Sequence, residues 1–249
     1  MKIFAFDLET TPNKSWTWGV WKQNVAHNQI MEPSRMLCWA GGWVGKKKIH
    51  FRAEWQHGRT DMLRELWDYI NSADVLLAHN GVKFDIKVMN KEFLLDGFKP
   101  PQRKKVIDTL LVAKKKFRFE HNNLDILGDR LGVGRKVPHA GMSLWLQAMA
   151  GDKSAQALMK KYNIQDVQLL KDVYEVFKPW IDNHPNWNIY NDTWVEDYGG
   201  AIKCGTCGSS DTVRNGTYHT QVTTMQKYLC NSCGASGKLA RGGKLACPI

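Results

Sequence analysis

A chain of 249 residues is longer than one compact core ordinarily needs, which predicts one substantial domain plus a small appendage. With 43% hydrophobic and 24% charged residues and no low-complexity run, the composition is that of a globular protein and excludes disorder as the default. A formal charge of +11 favours polyanionic partners, nucleic acid first, and no apolar stretch approaches the roughly 20 residues of a membrane-spanning helix.

In chain order, residues 2–8 read as a buried strand that ends in Asp7-Leu8-Glu9. Its apolar Ile3-Phe4-Ala5-Phe6 is too short for a secretory signal, so a reducing cytoplasm is expected. Residues 35–44 and 48–52 predict a hairpin turning at Gly45-Lys46, which makes the sheet partly antiparallel. Thr60 is the expected N-cap of a helix over 61–71, whose Leu63, Leu66, Trp67 and Ile70 recur at helical spacing. A short strand over 75–78, a helix over 84–95 and a strand over 105–107 follow, and helical periodicity then runs to Val176. Between Asp182 and Gly200 turn chemistry takes over, placing a domain boundary near residue 199. The division is thus 1–183, a linker over 184–199, and 200–249.

Three acidic elements carry chemistry. Asp7 and Glu9 stand two apart on a strand, so their carboxylates share one face of the sheet and repel each other. A divalent cation would relieve that repulsion, and oxygen ligands suit Mg²⁺ or Mn²⁺; a plain strand end entering the Thr10-Thr11-Pro12 turn is an equal reading of this pair alone. Asp85 follows the Gly-containing turn of His79-Asn80-Gly81, where an acid stabilised by the dipole of the next helix is the simpler account. Tyr162 and Asp166, four apart, share one helical face, which a surface helix would also produce.

Together, Asp7, Glu9, Asp85, Tyr162 and Asp166 resemble the DEDD superfamily of 3′ to 5′ exonucleases in its tyrosine-containing branch. Phe6-Asp7-Leu8-Glu9-Thr10 is similar to the first family motif, Asn80 with Phe84-Asp85 to the second, and Tyr162 with Asp166 to the third. Val106-Ile107-Asp108-Thr109-Leu110 and Asn123-Leu124-Asp125-Ile126-Leu127 resemble its connecting segments, so the likeness covers about residues 1–180. The resemblance implies an α/β, ribonuclease H-like fold, with a mixed five-stranded sheet flanked by helices. It also implies that Asp7 bridges two Mg²⁺ or Mn²⁺ ions, that Glu9 and Asp166 complete the site of the attacking water, and that Asp85 supports the second ion. Tyr162 would orient the water, and Leu8, Thr10, Asn80 and Phe84 would contact the substrate. His139 is a competitor for the orienting role, although its position does not fit the third motif. Asp108 reads equally as a site neighbour or as a helix N-cap.

Trp16, Trp18 and Trp21 cluster just after the first motif. Core packing is the commoner fate of tryptophan and is the expectation for each, with stacking on bases as the alternative. The runs Lys46-Lys47-Lys48, Arg103-Lys104-Lys105 and Lys114-Lys115-Lys116 read as solvated faces able to track phosphates.

Five of the six cysteines lie after residue 200. Cys204-x-x-Cys207 and Cys230-x-x-Cys233, each followed by a glycine, resemble a zinc ribbon around a hairpin over 212–227. Two disulfides are the disfavoured alternative in a reducing compartment, and Cys247 is left without a role. Residues 200–249 hold four Lys and two Arg against one Asp, a formal charge of +5. These readings predict a metal-dependent 3′ to 5′ exonuclease acting on single-stranded DNA ends, with two Mg²⁺ or Mn²⁺, one Zn²⁺ and room for a replication-protein partner. RNA trimming and a non-catalytic nucleic-acid-binding or partner-recruiting zinc-ribbon protein are the alternatives.

Overall fold

The computed structural model describes residues 1–186, 202–219, 224–239 and 246–248. The elements are β1 (Ile3–Thr10), β2 (Lys14–Ser15), β3 (Ile30–Glu32), β4 (Met36–Trp43), β5 (Ile49–Ala53), α1 (Glu54–His57), α2 (Arg59–Ser72), β6 (Val75–Ala78) and α3 (Asp85–Leu95). They continue with β7 (Lys105–Asp108), α4 (Thr109–Lys116), α5 (Leu124–Arg130), α6 (Met142–Met149), α7 (Lys153–Phe177), β8 (Thr212–His219), β9 (Thr224–Cys230), β10 (Ser236–Leu239) and β11 (Ala246–Pro248). Two compact units result, one made of Lys2–Asp108 with Leu124–Lys171, the other of Met1, Thr109–Asn123 and Asp172–Ile249.

The first unit is built on a mixed five-stranded sheet in the order β5-β4-β1-β6-β7. β4 runs antiparallel to β1 and β5, whereas β6 runs parallel to β1 and β7. This is the ribonuclease H-like arrangement implied by the acidic motifs. The strand β1 is central because it is apolar on both faces for its first half, which only a strand flanked by neighbours and covered above and below tolerates. Phe4, Phe6 and Leu8 enter one core with Trp39, Met62, Leu63, Leu66 and Phe93. Alternation then sends Asp7 and Glu9 to the opposite face. Gly41 faces Phe6 across the ladder, and a Cβ there would stand 2.3 Å from the Phe4 ring, so that close approach needs glycine.

One boundary differs from expectation. The helix α2 starts at Arg59 with Gly58 as its N-cap, at φ +75°, and no side chain caps it; Thr60 lies inside the first turn. The glycine supplies a left-handed bend between α1 and α2 that threonine resists, and this outweighs the capping preference of the hydroxyl.

In the second unit, Phe117 packs on Phe177 and Trp180, and Lys115 and Lys116 both pair with Asp182, so that part of the third basic run is neutralised. Its sheet has the order β11-β10-β9-β8, with antiparallel neighbours throughout. The strands β8 and β9 form the pair expected over 212–227. Tyr228 is fully buried under β10: a Cβ on Gly237 would stand 2.1 Å from its ring, and its hydroxyl accepts the Gly205 N–H at 2.9 Å. The boundary expected near residue 199, most of the 184–199 linker and the side chain of Cys247 lie outside the described residues.

Candidate active site

Asp7, Glu9 and Asp166 each offer a carboxylate oxygen within 4.8 Å of the others. The strand β1 supplies the first two by its period of two, and α7 supplies the third. Asn163, one turn before Asp166 and fully buried, donates from Nδ2 to Asp7 Oδ2 at 2.7 Å and to the Asp7 carbonyl at 3.3 Å, tying α7 to β1. Asp166 Oδ1 is buried without a hydrogen-bond partner. A buried carboxylate oxygen with no donor is costly unless a cation completes it, so this donor set fits a hard divalent ion.

Asp85 stands beside this trio. It opens α3, and its Oδ1 accepts the Leu8 N–H at 3.1 Å, so the backbone between the two β1 acids holds it in place. The preceding turn needs two special positions. Asn80 has φ +63°, and a Cβ on Gly81 would stand 2.3 Å from the Ala78 Cβ and 3.7 Å from Asp85 Oδ2. Asp108, at the end of β7, holds this turn by accepting the Asn80 and Val82 N–H groups at 2.9 and 3.1 Å. It is a neighbour of the site, one of the two readings its sequence position left open. Phe84 is half-exposed just before α3, Thr10 sits at a bulge in the β1–β4 ladder, and Leu8 is buried in the core.

Two groups that carried no weight in the sequence stand in the cluster: Asn163 and Lys136. Lys136 Nζ donates to Asp166 Oδ2 at 2.5 Å and to the Tyr162 hydroxyl at 3.3 Å. The Tyr162 ring is held edge-on by His139, 4.7 Å away between centroids, and by Trp145 at 6.0 Å. His139 thus packs against Tyr162. Its Nδ1 accepts the Gly141 N–H.

Crowding four acids in a desolvated place shifts every one of them. Burial first, then Glu9, Asp85 and Asp166, hold Asp7 well above the usual carboxylate range. Burial and then Asp166 push Glu9 up to about 8. Burial raises Asp85 to about 7, against the Leu8 N–H. Burial also raises Asp166, while Lys136 works the other way. Burial opposes the charge of Lys136, but Asp166, Tyr162 and Asp7 together outweigh it and keep the ammonium above its ordinary value. Burial followed by Asp166 and Glu9 keeps Tyr162 a neutral phenol, so its hydroxyl can donate but not act as a base near neutrality.

These shifts make the metal-free protein pH-sensitive. A carboxyl whose folded pKa is raised binds its proton more tightly in the folded state, so its contribution is complete below the unfolded pKa and is lost as pH rises through the folded one. For Glu9 and Asp85 that window opens near pH 4 and closes between about 7 and 8. We expect the Tm of metal-free protein to fall across this window, and Mn²⁺ to raise it more at pH 8.5 than at pH 5.5. Thermal scans at both pH values check this, and a Mn²⁺ effect independent of pH would contradict it.

A family model described as RNase_H superfamily matches residues 4–178, about two thirds of the chain, and takes in every acid of the cluster. The chain belongs to the RNase_H superfamily. Among curated proteins, DNA polymerase III subunit epsilon of Haemophilus influenzae is 40% identical over 75 residues, which is 29% of this chain and 28% of that protein. Among solved structures, the family B DNA polymerase of Pyrobaculum calidifontis superposes with a TM-score of 0.55 at 15% identity, over 72% of this chain and 24% of that one. The second likeness concerns the fold. This superfamily member spans about a quarter of the length of each of these two proteins.

Cys204, Cys207, Cys230 and Cys233 form a separate cluster compatible with a zinc ribbon, with Sγ atoms within 4.8 Å of one another. Cys204–Cys233 and Cys207–Cys230 are 3.8 and 3.7 Å apart, and none of the four is joined in a disulfide. A disulfide needs about 2.05 Å, whereas the edge of a tetrahedron with Zn–S bonds of about 2.3 Å is about 3.8 Å. The two knuckles repeat one turn: Gly208 N–H bonds to the Cys204 carbonyl and Gly234 N–H to that of Cys230, both at 2.8 Å. Both glycines have positive φ, +81° and +75°, which explains why each pair is followed by glycine. Among the described residues no helix is long and apolar enough to cross a membrane.

Proposed function

We propose that this protein is a metal-dependent 3′ to 5′ exonuclease that releases nucleotides from single-stranded DNA ends by two-metal-ion hydrolysis. The observation that carries it is the Asp7, Glu9 and Asp166 trio with its unsatisfied buried oxygen, inside a superfamily domain of a chain similar over 75 residues to a protein named DNA polymerase III subunit epsilon. We assign Asp7, Glu9, Asp85 and Asp166 as ligands of two Mg²⁺ or Mn²⁺ ions. Bound there, the ions would lower the pKa of a water and stabilise the entering and leaving oxygens of an in-line displacement.

The chain's own groups do the rest. Asn163 fixes the rotamer of Asp7, and Leu8 N–H fixes Asp85, so the ligand oxygens are positioned before substrate arrives. Tyr162, neutral and wedged by His139 and Trp145, aims its hydroxyl at the attacking water, as expected of the tyrosine branch. Lys136 holds Asp166 and that hydroxyl and supplies positive charge where phosphate charge develops. Leu8, Thr10, Asn80 and Phe84 are the proposed substrate contacts. The reading divides the chain into a nuclease domain over 1–183, a linker over 184–199 and a zinc ribbon over 200–249. It places the protein in a reducing cytoplasm beside replication partners.

The test is incubation of the purified protein and Mn²⁺ with end-labelled single-stranded, duplex and circular DNA and with RNA. Stepwise shortening of 5′-labelled linear strands, with circles intact, is the expected result. Cleavage of circles would overturn the exonuclease reading, and preferential RNA shortening would overturn the choice of DNA.

Two variants probe the water-orienting pair. Tyr162→Phe keeps the ring and removes the hydroxyl, so turnover should fall about ten- to a hundredfold with KM nearly unchanged. Equal loss in kcat and gain in KM would count against the role. Lys136→Met frees Asp166 Oδ2 from a competing cation, so Mn²⁺ should bind more tightly while turnover falls. A Mn²⁺ titration followed by activity and by Tm separates the two effects, and weaker Mn²⁺ binding would contradict the assignment.

A further inference from the structure

The segment from Pro12 to Ser34 leaves β1 just past Glu9 and re-enters the sheet at Met36, which pairs with Thr10. Its only regular structure among the described residues is the two-stranded β2–β3 ladder and one short 3₁₀ turn, too little to enclose a core of its own. Trp16, Trp18 and Trp21 are consequently 70%, 100% and 86% exposed. This corrects the expectation of core packing for these three rings. With Val20, also exposed, they turn four large apolar side chains within residues 16–21 to solvent, more than isolated surface residues account for.

The lobe is nevertheless anchored. Thr11 N–H bonds to the Arg35 carbonyl at 2.8 Å, Arg35 N–H to Thr11 Oγ1 at 3.0 Å, and Ser34 N–H to Asn13 Oδ1 at 2.6 Å. Arg35 grips both oxygens of Glu54 at 3.1 Å, and Lys91 Nζ reaches the Ser34 carbonyl at 2.6 Å. Farther out, Trp16 N–H bonds to the Gln29 carbonyl, and Gln29 Nε2 returns a bond to the Trp16 carbonyl. Gln23 Nε2 closes the turn after Trp21 by donating to its carbonyl at 2.7 Å. The rings are displayed on a tethered frame, and Trp16 lies seven residues from Glu9, at most about 25 Å along the chain.

The lobe's charges select the occupant. Within Pro12–Ser34 the only carboxylate is Glu32, which is paired with Lys14 at 2.9 Å, so that with Lys22 the segment carries a formal charge of +1. Flat apolar faces beside net positive charge, on a chain of formal charge +11, fit a polyanion that carries flat rings of its own. We propose that Trp16, Trp18 and Trp21 are a stacking platform for unpaired bases of the single DNA strand whose end enters the acidic cluster. The inference deepens the exonuclease reading and rests on it. It gives the enzyme a hold on the strand that is independent of sequence, because every base offers a face.

The experiment measures binding of a fluorescent oligo(dT) to the full chain in Ca²⁺, across a salt series. It compares wild type with the combined Trp16→Ala, Trp18→Ala and Trp21→Ala variant and with the three corresponding Phe substitutions. The Ala variant should bind at least about tenfold more weakly with the same salt slope, and the Phe variant should recover most of the loss. Strands carrying 5-iododeoxyuridine should photocrosslink to the lobe, read by mass spectrometry. If the combined variant misfolds by circular dichroism, Trp18→Ala at the fully exposed ring gives the same readout. Unchanged affinity, crosslinks confined to other segments, or a wild-type self-association lost in the variant would each overturn the platform. Failure to cleave any strand in Mn²⁺ would instead sink the nuclease reading, and the binding comparison would still decide whether the rings hold DNA.

Discussion

Asp7→Ala is expected to lower strand cleavage by on the order of 10³-fold or more while leaving the protein folded. A proposed metal ligand disappears, and a loss of several kcal/mol of charge stabilisation translates into that factor. The fold survives because two terms oppose each other. Asn163 loses its carboxylate acceptor, costing about 1 kcal/mol, but the burial of the Asp7 charge and its repulsion by Glu9, Asp85 and Asp166 are relieved. The metal-free variant should therefore melt within a few degrees of wild type, at the same or a higher temperature at pH 8, and its stabilisation by Mn²⁺ should nearly vanish. Cleavage assays and thermal scans with and without Mn²⁺ check both halves. Near-wild-type cleavage by a preparation free of contaminating nuclease would remove Asp7 from the site.

The second large effect concerns the cysteine cluster. Combined Cys204→Ser and Cys230→Ser should remove one bound zinc per chain and unfold the small sheet that carries Tyr228. Apparent binding energies of structural zinc are about 10–16 kcal/mol, more than a module of this size stores in its core. The described core there is little more than Cys204, Tyr228, Cys230 and Ala235 with a few half-buried neighbours. Metal analysis and limited proteolysis of the full chain report the loss, with new cleavage expected between residues 202 and 239. All six cysteines of the wild type should titrate as thiols in denaturant without reductant. Fewer thiols, or a metal-free protein whose residues 202–239 resist protease, would favour disulfides or an unaided fold.

The parts of this protein legible in the sequence are those fixed by short-range periodicity. The strand alternation of β1 separates Phe4, Phe6 and Leu8 from Asp7 and Glu9, and a spacing of four sets Tyr162 and Asp166 on one face of α7. The hairpin of β4 and β5 and the two glycine-closed knuckles follow from turn chemistry. The order of hairpin first and then alternating strands and helices leads to the mixed five-stranded sheet.

Asn163, Lys136 and Asp108 were illegible or ambiguous for one common reason. Each acts on a partner far away in sequence: Asn163 on Asp7 across 156 positions, Lys136 on Asp166 across 30, and Asp108 on Asn80 across 28. No local pattern marks a lysine as the cation facing buried carboxylates, because an isolated lysine in a loop is usually solvated. The tryptophans show the converse. Their size argued for burial, but burial requires a second layer, and the two-stranded lobe has none to offer. By itself the sequence determined which residues could share a face, because backbone geometry repeats every two or 3.6 residues. Only the tertiary structure decided which faces meet, which charges are desolvated together and which rings stay in water, because those depend on chain crossings between segments that carry no memory of each other.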